Sequence, residues 1–350
     1  MVYLLPRRLR DKIWPEPMPP LKSFEGKTVL VTGATAGLGL AAAVHFATLG
    51  ARLIMTSRSN AQGELAKQQV EQQAGIMGQG KIRIMKLDMC RYSSCVSFVS
   101  ELKHTEEGHG SLDCAVLNAG VINSEFVESP EGWEQTIQVN TLSTTLLGLL
   151  LLSWMKQKQN DRGTSHLVIV TSRDHLDPDI TTWAGKSANG GILRHFSSKE
   201  NWPSGQSLPN YGNSKLMLTY AVEEMCKRAI GQDGKLKVIV NTVCPGLVFT
   251  DITRSLVKNS KLMQLLVPLY LGCMGKSGDY GARFYVAAAL TSKEEHGGYV
   301  QSLFTDEEYR RLAIPNMQSD IAMNVKALVW DEIIGELREK VPALEDSIND

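Results

Sequence analysis

The chain has 350 residues, 37 Lys plus Arg against 37 Asp plus Glu, and 43% hydrophobic with 7% aromatic residues. A formal net charge of zero excludes nucleic-acid binding through an overall basic field, though not a local anion site. The six cysteines (Cys90, Cys95, Cys114, Cys226, Cys244 and Cys273) form no C-x-x-C pair. Their spacing gives no metal site and predicts a reducing compartment, the cytoplasm.

At the start, few apolar residues precede Pro6, too few for a signal sequence, and Pro15, Pro17, Pro19 and Pro20 predict an extended arm over 1–25. From residue 27 short apolar runs alternate with amphipathic ones. Strands are expected at 27–32, 52–56, 81–87, 113–118, 166–172 and 236–243, and helices around 38–49, 60–74, 91–103, 131–158 and 210–230. Continuous Val/Ile/Leu strands alternating with helices predict an α/β fold with a doubly wound parallel sheet of Rossmann type, one domain over 26–305.

Residues 173–209, rich in Gly, Ser, Asn and Pro, break the rhythm and are expected to form an insertion on the substrate side. The most apolar stretches, 145–155 and 262–275, fall short of the roughly 20 residues that span a bilayer. The first predicts a buried helix. The second belongs to an expected lid over 249–275, broken by Pro268, and leaves peripheral membrane contact open. Residues 306–350 are expected to be a helical extension.

Directly after the first strand comes "TGATAGLGL", with Gly33, Gly37 and Gly39 in the turn before a helix. Such a turn lets backbone N–H groups approach a pyrophosphate. The second strand ends "LIMTSRSN" without a carboxylate and with Arg58 just beyond. An acidic residue there would suit the ribose 2′-hydroxyl of NAD, whereas a guanidinium suits the 2′-phosphate of NADP. Further on, "NYGNSK" sets Tyr211 one helical turn before Lys215.

The glycine turn, "NAG" at 118–120 and the Tyr–Lys pair together resemble the short-chain dehydrogenase/reductase family over about residues 26–300. The Pro-rich leader and the tail around "ALVWDEIIGEL" resemble its retinol-dehydrogenase-like members and fungal members that tailor natural products. The resemblance implies that Gly33, Gly37, Leu38 and Gly39 form the pyrophosphate turn. It implies that Asp88 accepts the adenine amine and that Asn118, Ala119 and Gly120 support the cofactor ribose. Val248 and Thr250 of "CPGLVFT" would reach the nicotinamide carboxamide, and Asn140, Ser172, Tyr211 and Lys215 would form the catalytic set. A long spacer between Ser172 and Tyr211 departs from the family pattern and bears on substrate-side geometry.

A phenol with a pKa of about 10 is a poor acid–base group at neutral pH. A lysine charge about 4 Å away is worth roughly 4 kcal/mol at an effective dielectric near 20, about three pKa units. Lys215 is therefore expected to bring Tyr211 near neutrality, and also to hold the nicotinamide ribose. Asn140 would support a water linking Lys215 to solvent. His175, His195 and Asp174 are read as loop residues. The expected activity is NADP(H)-dependent interconversion of a carbonyl and an alcohol on a small hydrophobic molecule, with homodimers through the 131–158 and 210–230 helices. A non-redox relative (dehydratase, cyclase or epimerase) and a non-catalytic cofactor-binding protein are the alternatives.

Overall fold

The computed structural model describes residues 17–105, 112–157, 163–203, 210–246, 248 and 277–345. The expected βα alternation is present. β1 (Thr28–Val31), α1 (Gly37–Thr48), β2 (Arg52–Ser57), α2 (Asn60–Ala74), β3 (Ile82–Lys86), α3 (Tyr92–Lys103) and β4 (Cys114–Leu117) make the first half. β1 and β4 are buried along their whole length, as apolar runs on a two-sided sheet should be.

The long stretch read as one helix is three: α4 (Gln135–Ile137), a π-helical segment (Gln138–Ser143) and α5 (Thr144–Gln157). β5 (Ser165–Val170) leads into a 3-10 turn (Arg173–Leu176), then α6 (Trp183–Ala188) and α7 (Ile192–Phe196) inside the expected insertion. α8 (Tyr211–Arg228), β6 (Val238–Val243), α9 (Gly278–Ala288), β7 (Tyr299–Val300), α10 (Asp306–Met317) and α11 (Asp320–Lys340) complete the described chain. β7 and the two insertion helices are too short to stand out in sequence, being two, six and five residues long. Residues 249–276, which include the expected lid and Thr250, lie outside the described residues.

The sheet is parallel throughout, in the order β3-β2-β1-β4-β5-β6-β7. The chain reverses its direction of travel across the sheet between β1 and β4. In doubly wound sheets the ligand crevice opens at that switch, beyond the carboxyl ends of the strands. Each face has its own core. One holds α1 and α9, through Phe46, Tyr285 and Val286. The other holds α5, α8 and the C-terminal α11, through Leu147, Leu218, Val329 and Ile333. Residues 320–344 therefore share a core with the central sheet.

α11 also anchors the insertion. The Glu332 carboxylate accepts the backbone N–H groups of Ile192 and Leu193, both at 2.9 Å, and the Ser187 hydroxyl at 2.8 Å. One turn on, Glu336 accepts the Trp133 indole N–H at 2.8 Å, while the Arg194 guanidinium lies 3.6 Å from the Trp133 ring centroid. The middle of 173–209 thus docks on the C-terminal helix.

The faces expected to meet a second copy are covered by the chain itself. Gln135–Gln157 is the one helix among the described residues long and apolar enough to cross a membrane, and its apolar window is wholly buried inside the fold. α8 packs against α11, with Lys326 of α11 paired to Glu223 at 2.6 Å. Both helices thus have much of their apolar surface covered by elements of the same chain.

Glu332→Ala should lower stability by about 2 kcal/mol, the scale of lost hydrogen bonds to a charged acceptor. Hydrogen exchange should show the Ile192 and Leu193 amides losing protection while β4 and β5 keep theirs. Unchanged exchange at both amides would remove Glu332 as the anchor.

Candidate active site

The glycine turn is shaped by close approach. Gly33 and Gly37 have φ of +64° and +55°, the left-handed region where glycine carries no Cβ penalty. A Cβ on Gly39 would sit 2.4 Å from the Gly33 carbonyl oxygen and 2.5 Å from the Asn118 amide nitrogen. The N-cap of α1, Ala36, offers no side-chain acceptor, and the first turn holds no acidic residue. Its N–H groups therefore face the crevice at the positive end of the helix, which fits a pyrophosphate.

A hydrogen-bonded knot fixes this turn to β4. The Thr32 hydroxyl accepts the N–H groups of Asn118 (2.9 Å) and Ala119 (3.0 Å). The Asn118 amide donates to the Thr32 carbonyl at 2.9 Å, and its oxygen accepts the buried Tyr285 hydroxyl at 3.0 Å. Leu38 and Val248 converge on α9: a Cβ on Gly281 would lie 2.8 Å from one and 2.6 Å from the other.

Arg58 and Asp88 follow the carboxyl ends of the neighbouring strands β2 and β3. Arg58 is exposed, and no hydrogen bond or ion pair holds its guanidinium among the described residues. One Asp88 oxygen accepts the Cys90 N–H at 3.0 Å, and the other lies 3.8 Å from Arg91 Nε.

The π-helical segment carries Asn140 inward, a common use of such a bulge. The Asn140 side chain is fully buried. Its oxygen accepts the Val121 N–H at 2.9 Å, and its amide donates to the Val121 carbonyl at 2.9 Å and to Ser214 Oγ at 3.1 Å. Gly120 lies between this group and Lys215: a Cβ there would be 3.1 Å from Asn140 Oδ1 and 3.7 Å from Lys215 Nζ.

Tyr211 opens α8 behind Asn210, whose φ of +59° is left-handed and whose amide donates to the Phe196 carbonyl at 2.6 Å. Asparagine tolerates that conformation better than most residues. The next residue must be small, since a Cβ on Gly212 would be 2.9 Å from the Asp174 carbonyl oxygen. The Ser172 hydroxyl pulls the pKa of the Tyr211 phenol down and accepts the Asp174 N–H at 3.2 Å. The structure thus gathers Asn140, Gly120 and Lys215 on one side and Ser172 and Tyr211 on the other, both at the strand ends beside the glycine turn.

The electrostatics differ from what spacing suggests. Lys215 Nζ donates to the Val170 carbonyl at 2.9 Å and stands 5.8 Å from the Tyr211 ring centroid. Burial lowers the Lys215 pKa to about 8, against small opposing pulls from Cys244 and Asp174. Burial, then the Asp174 carboxylate and Cys244, hold the Tyr211 phenol above its ordinary value, while Ser172 pulls it down. The expected lowering of Tyr211 by Lys215 is not present here, because desolvation acts on both groups and the lysine is directed at a carbonyl.

Two residues read as loop positions belong to the site's surroundings. Asp174 is partly buried, and that burial raises its pKa. His175 has no exposure at all, and both its ring nitrogens are engaged. Tyr285 was not legible either, since its partner Asn118 lies 167 residues away.

A family model described as short chain dehydrogenase matches residues 27–184. The chain is 32% identical to "Short-chain dehydrogenase/reductase ffsI" of Aspergillus flavipes, covering 95% of this chain and 92% of that protein. It is 30% identical to "Short-chain dehydrogenase/reductase phmF" of Phaeosphaeria nodorum, covering 94% and 92%. Among solved structures, it resembles a 3-oxoacyl-[acyl-carrier protein] reductase from Brucella melitensis in complex with NAD (TM-score 0.56, 22% identity, 80% of this chain and 96% of that one). It also resembles the Pseudomonas aeruginosa RhlG/NADP active-site complex (TM-score 0.55, 19% identity, 81% and 97%). These two likenesses confirm the fold. With the glycine turn in place and relatives matched over nearly their whole length, the chain belongs to the short-chain dehydrogenase/reductase family, oxidoreductases that use a nicotinamide cofactor.

Proposed function

We propose that the protein is an NADP(H)-dependent reductase that interconverts a carbonyl and an alcohol on a small hydrophobic molecule, of the kind tailored in fungal natural-product synthesis. One observation carries this reading: Asn140, Ser172, Tyr211 and Lys215 meet beside a glycine turn whose helix N-terminus has no side-chain cap. The fungal relatives support the substrate class.

The residues that would hold the dinucleotide are Gly33, Gly37, Leu38 and Gly39 at the pyrophosphate, Asp88 at the adenine, Asn118 near the ribose and Val248 by the nicotinamide. Arg58, exposed and unpaired among the described residues, is the proposed reader of the 2′-phosphate. The bound cofactor supplies the hydride and, when oxidised, a positive charge.

The chain's own groups handle the proton. Tyr211, its phenol held above the ordinary value, stays protonated at neutral pH and gives its proton to the substrate oxygen, which suits the reductive direction. Ser172 donates a hydrogen bond to the same oxygen while taking one from the Asp174 N–H. Lys215 is the proton donor behind Tyr211, because burial brings it to about 8, close enough to neutrality to exchange. Asn140 keeps Lys215 in place through Ser214.

NADPH oxidation with a carbonyl panel, from decanal to a steroid ketone, tests the reading. Turnover is expected; cofactor binding without turnover on any member would favour a non-redox or non-catalytic protein. Tyr211→Phe should lower kcat by roughly 10²–10⁴-fold, the scale of general acid–base catalysis, with NADPH affinity unchanged. A variant keeping half the rate would reject Tyr211 as the acid.

Arg58→Ala should weaken NADPH by roughly 10- to 100-fold, since hydrogen bonds to charged groups contribute about 1.5–3 kcal/mol, and leave NADH nearly untouched. Equal losses for both cofactors would show that Arg58 does not read the phosphate.

Lys215 makes stability depend on pH in a defined sense. Its folded pKa of about 8 lies below the ordinary 10.5, so between these values the unfolded chain binds more protons and stability rises with pH. Relative to Lys215→Met, wild type should gain about 3 kcal/mol from pH 7 to above pH 10.5, by the free energy of a pKa unit. Urea denaturation of both cofactor-free proteins reads this difference. A flat difference would mean that Lys215 keeps its ordinary pKa.

A further inference from the structure

His175 is buried without exposure three residues after Ser172. Its Nδ1 lies 2.5 Å from the Ser172 carbonyl oxygen, and its Nε2 lies 3.2 Å from the Tyr309 hydroxyl on α10. A carbonyl oxygen only accepts, so Nδ1 carries the proton. Burial keeps the imidazole neutral by lowering its pKa, so Nε2 is an acceptor and the Tyr309 hydroxyl donates to it. The tautomer is thereby fixed from both ends. The ring is also packed edge-on against Tyr299 (5.2 Å between centroids) and Tyr309 (5.9 Å).

A second clamp from the same helix acts on the same turn. The Asn316 amide lies 3.4, 3.1 and 2.9 Å from the carbonyl oxygens of His175, Leu176 and Pro178. The Tyr220 hydroxyl of α8, the helix that Tyr211 opens, donates to the Asn316 carbonyl at 2.7 Å.

We infer that His175 is a positioning residue for Ser172, holding the serine's carbonyl through Nδ1–H, and that helix α10 sets its orientation through Tyr309. The inference rests on the proposed catalytic role of Ser172. The Ser172 carbonyl takes both the His175 ring and the His175 backbone N–H (3.2 Å). Its peptide plane is therefore pinned from one side, and its hydroxyl is directed by the Asp174 N–H from the other. Release of the ring frees that plane to rotate, and the hydroxyl moves off the substrate oxygen. A displacement near 1 Å is enough to cost roughly 100-fold in rate.

The test is a double-mutant cycle on kcat, with NADPH and whichever panel carbonyl wild type reduces fastest. Ser172→Ala comes first: a wild-type rate there overturns the role of Ser172, before His175 is touched. With that role upheld, His175→Gln loses the donor at the Nδ1 position and should lower kcat roughly 10- to 100-fold, with KM for NADPH unchanged. His175→Asn places an amide nitrogen where Nδ1 stood and should restore kcat to within about threefold of wild type.

Tyr309→Phe keeps the aromatic stack, loses only the hydroxyl, and should lower kcat in the same direction but by less. In the Ser172→Ala background both His175→Gln and Tyr309→Phe should change kcat by less than about threefold, since residues acting as a unit are non-additive. NADPH-binding stoichiometry counts the folded sites in every variant. Full, additive losses in both backgrounds, or no rescue by His175→Asn, would overturn the inference and leave His175 a core residue.

Discussion

The Asn140 carboxamide is the interaction on which the catalytic side of the molecule depends. An amide buried without partners costs about 1–3 kcal/mol, and this one has no exposure. It meets that demand with both backbone groups of Val121 and with the Ser214 hydroxyl. Three elements are joined at one side chain: the π-helical segment, the turn leaving β4, and the first turn of α8. Lys215 follows Ser214, and Gly120 precedes Val121, so none of these groups moves without the others. The π bulge follows from the same constraint, since a regular helix through 138–143 would phase this side chain differently.

Much of the fold is legible because local periodicity and burial point the same way. Six strands and the helices between them stand out as apolar runs and amphipathic stretches, and the glycine turn falls where strand meets helix. The residues that lie beyond such reading share one property: their reason for being there is a partner far along the chain. Tyr285 answers Asn118, Glu332 answers Ile192 and Leu193, and Tyr309 answers His175. None of these pairs leaves a spacing to find. His175 reads as a loop histidine because its neighbours in sequence are polar; its neighbours in space are tyrosines.

The Tyr211–Lys215 pair shows what helical spacing does and does not determine. It places two residues on one face, and they do share it. It does not say which atom of the lysine meets which atom of the ring, nor how much water surrounds them. Here the ammonium is given to the Val170 carbonyl, and burial weakens the charge that was to act on the phenol. The phenol is in turn moved most by its own desolvation and then by Asp174, a carboxylate that reads in sequence as a loop residue.

The C-terminal helix has a further consequence. α5 and α8 carry long apolar faces and take their cover from α11 of the same chain, whose Val329, Ile333 and Leu337 enter their core. Covering them is therefore a unimolecular event. Apolar cover supplied by a second subunit obeys mass action and is stripped away as protein is diluted; cover supplied in cis is not. The contact of α11 with the helices that hold Asn140 and Tyr211 is thus independent of protein concentration, and a cell producing only a few copies of the chain would keep it as well as one producing many.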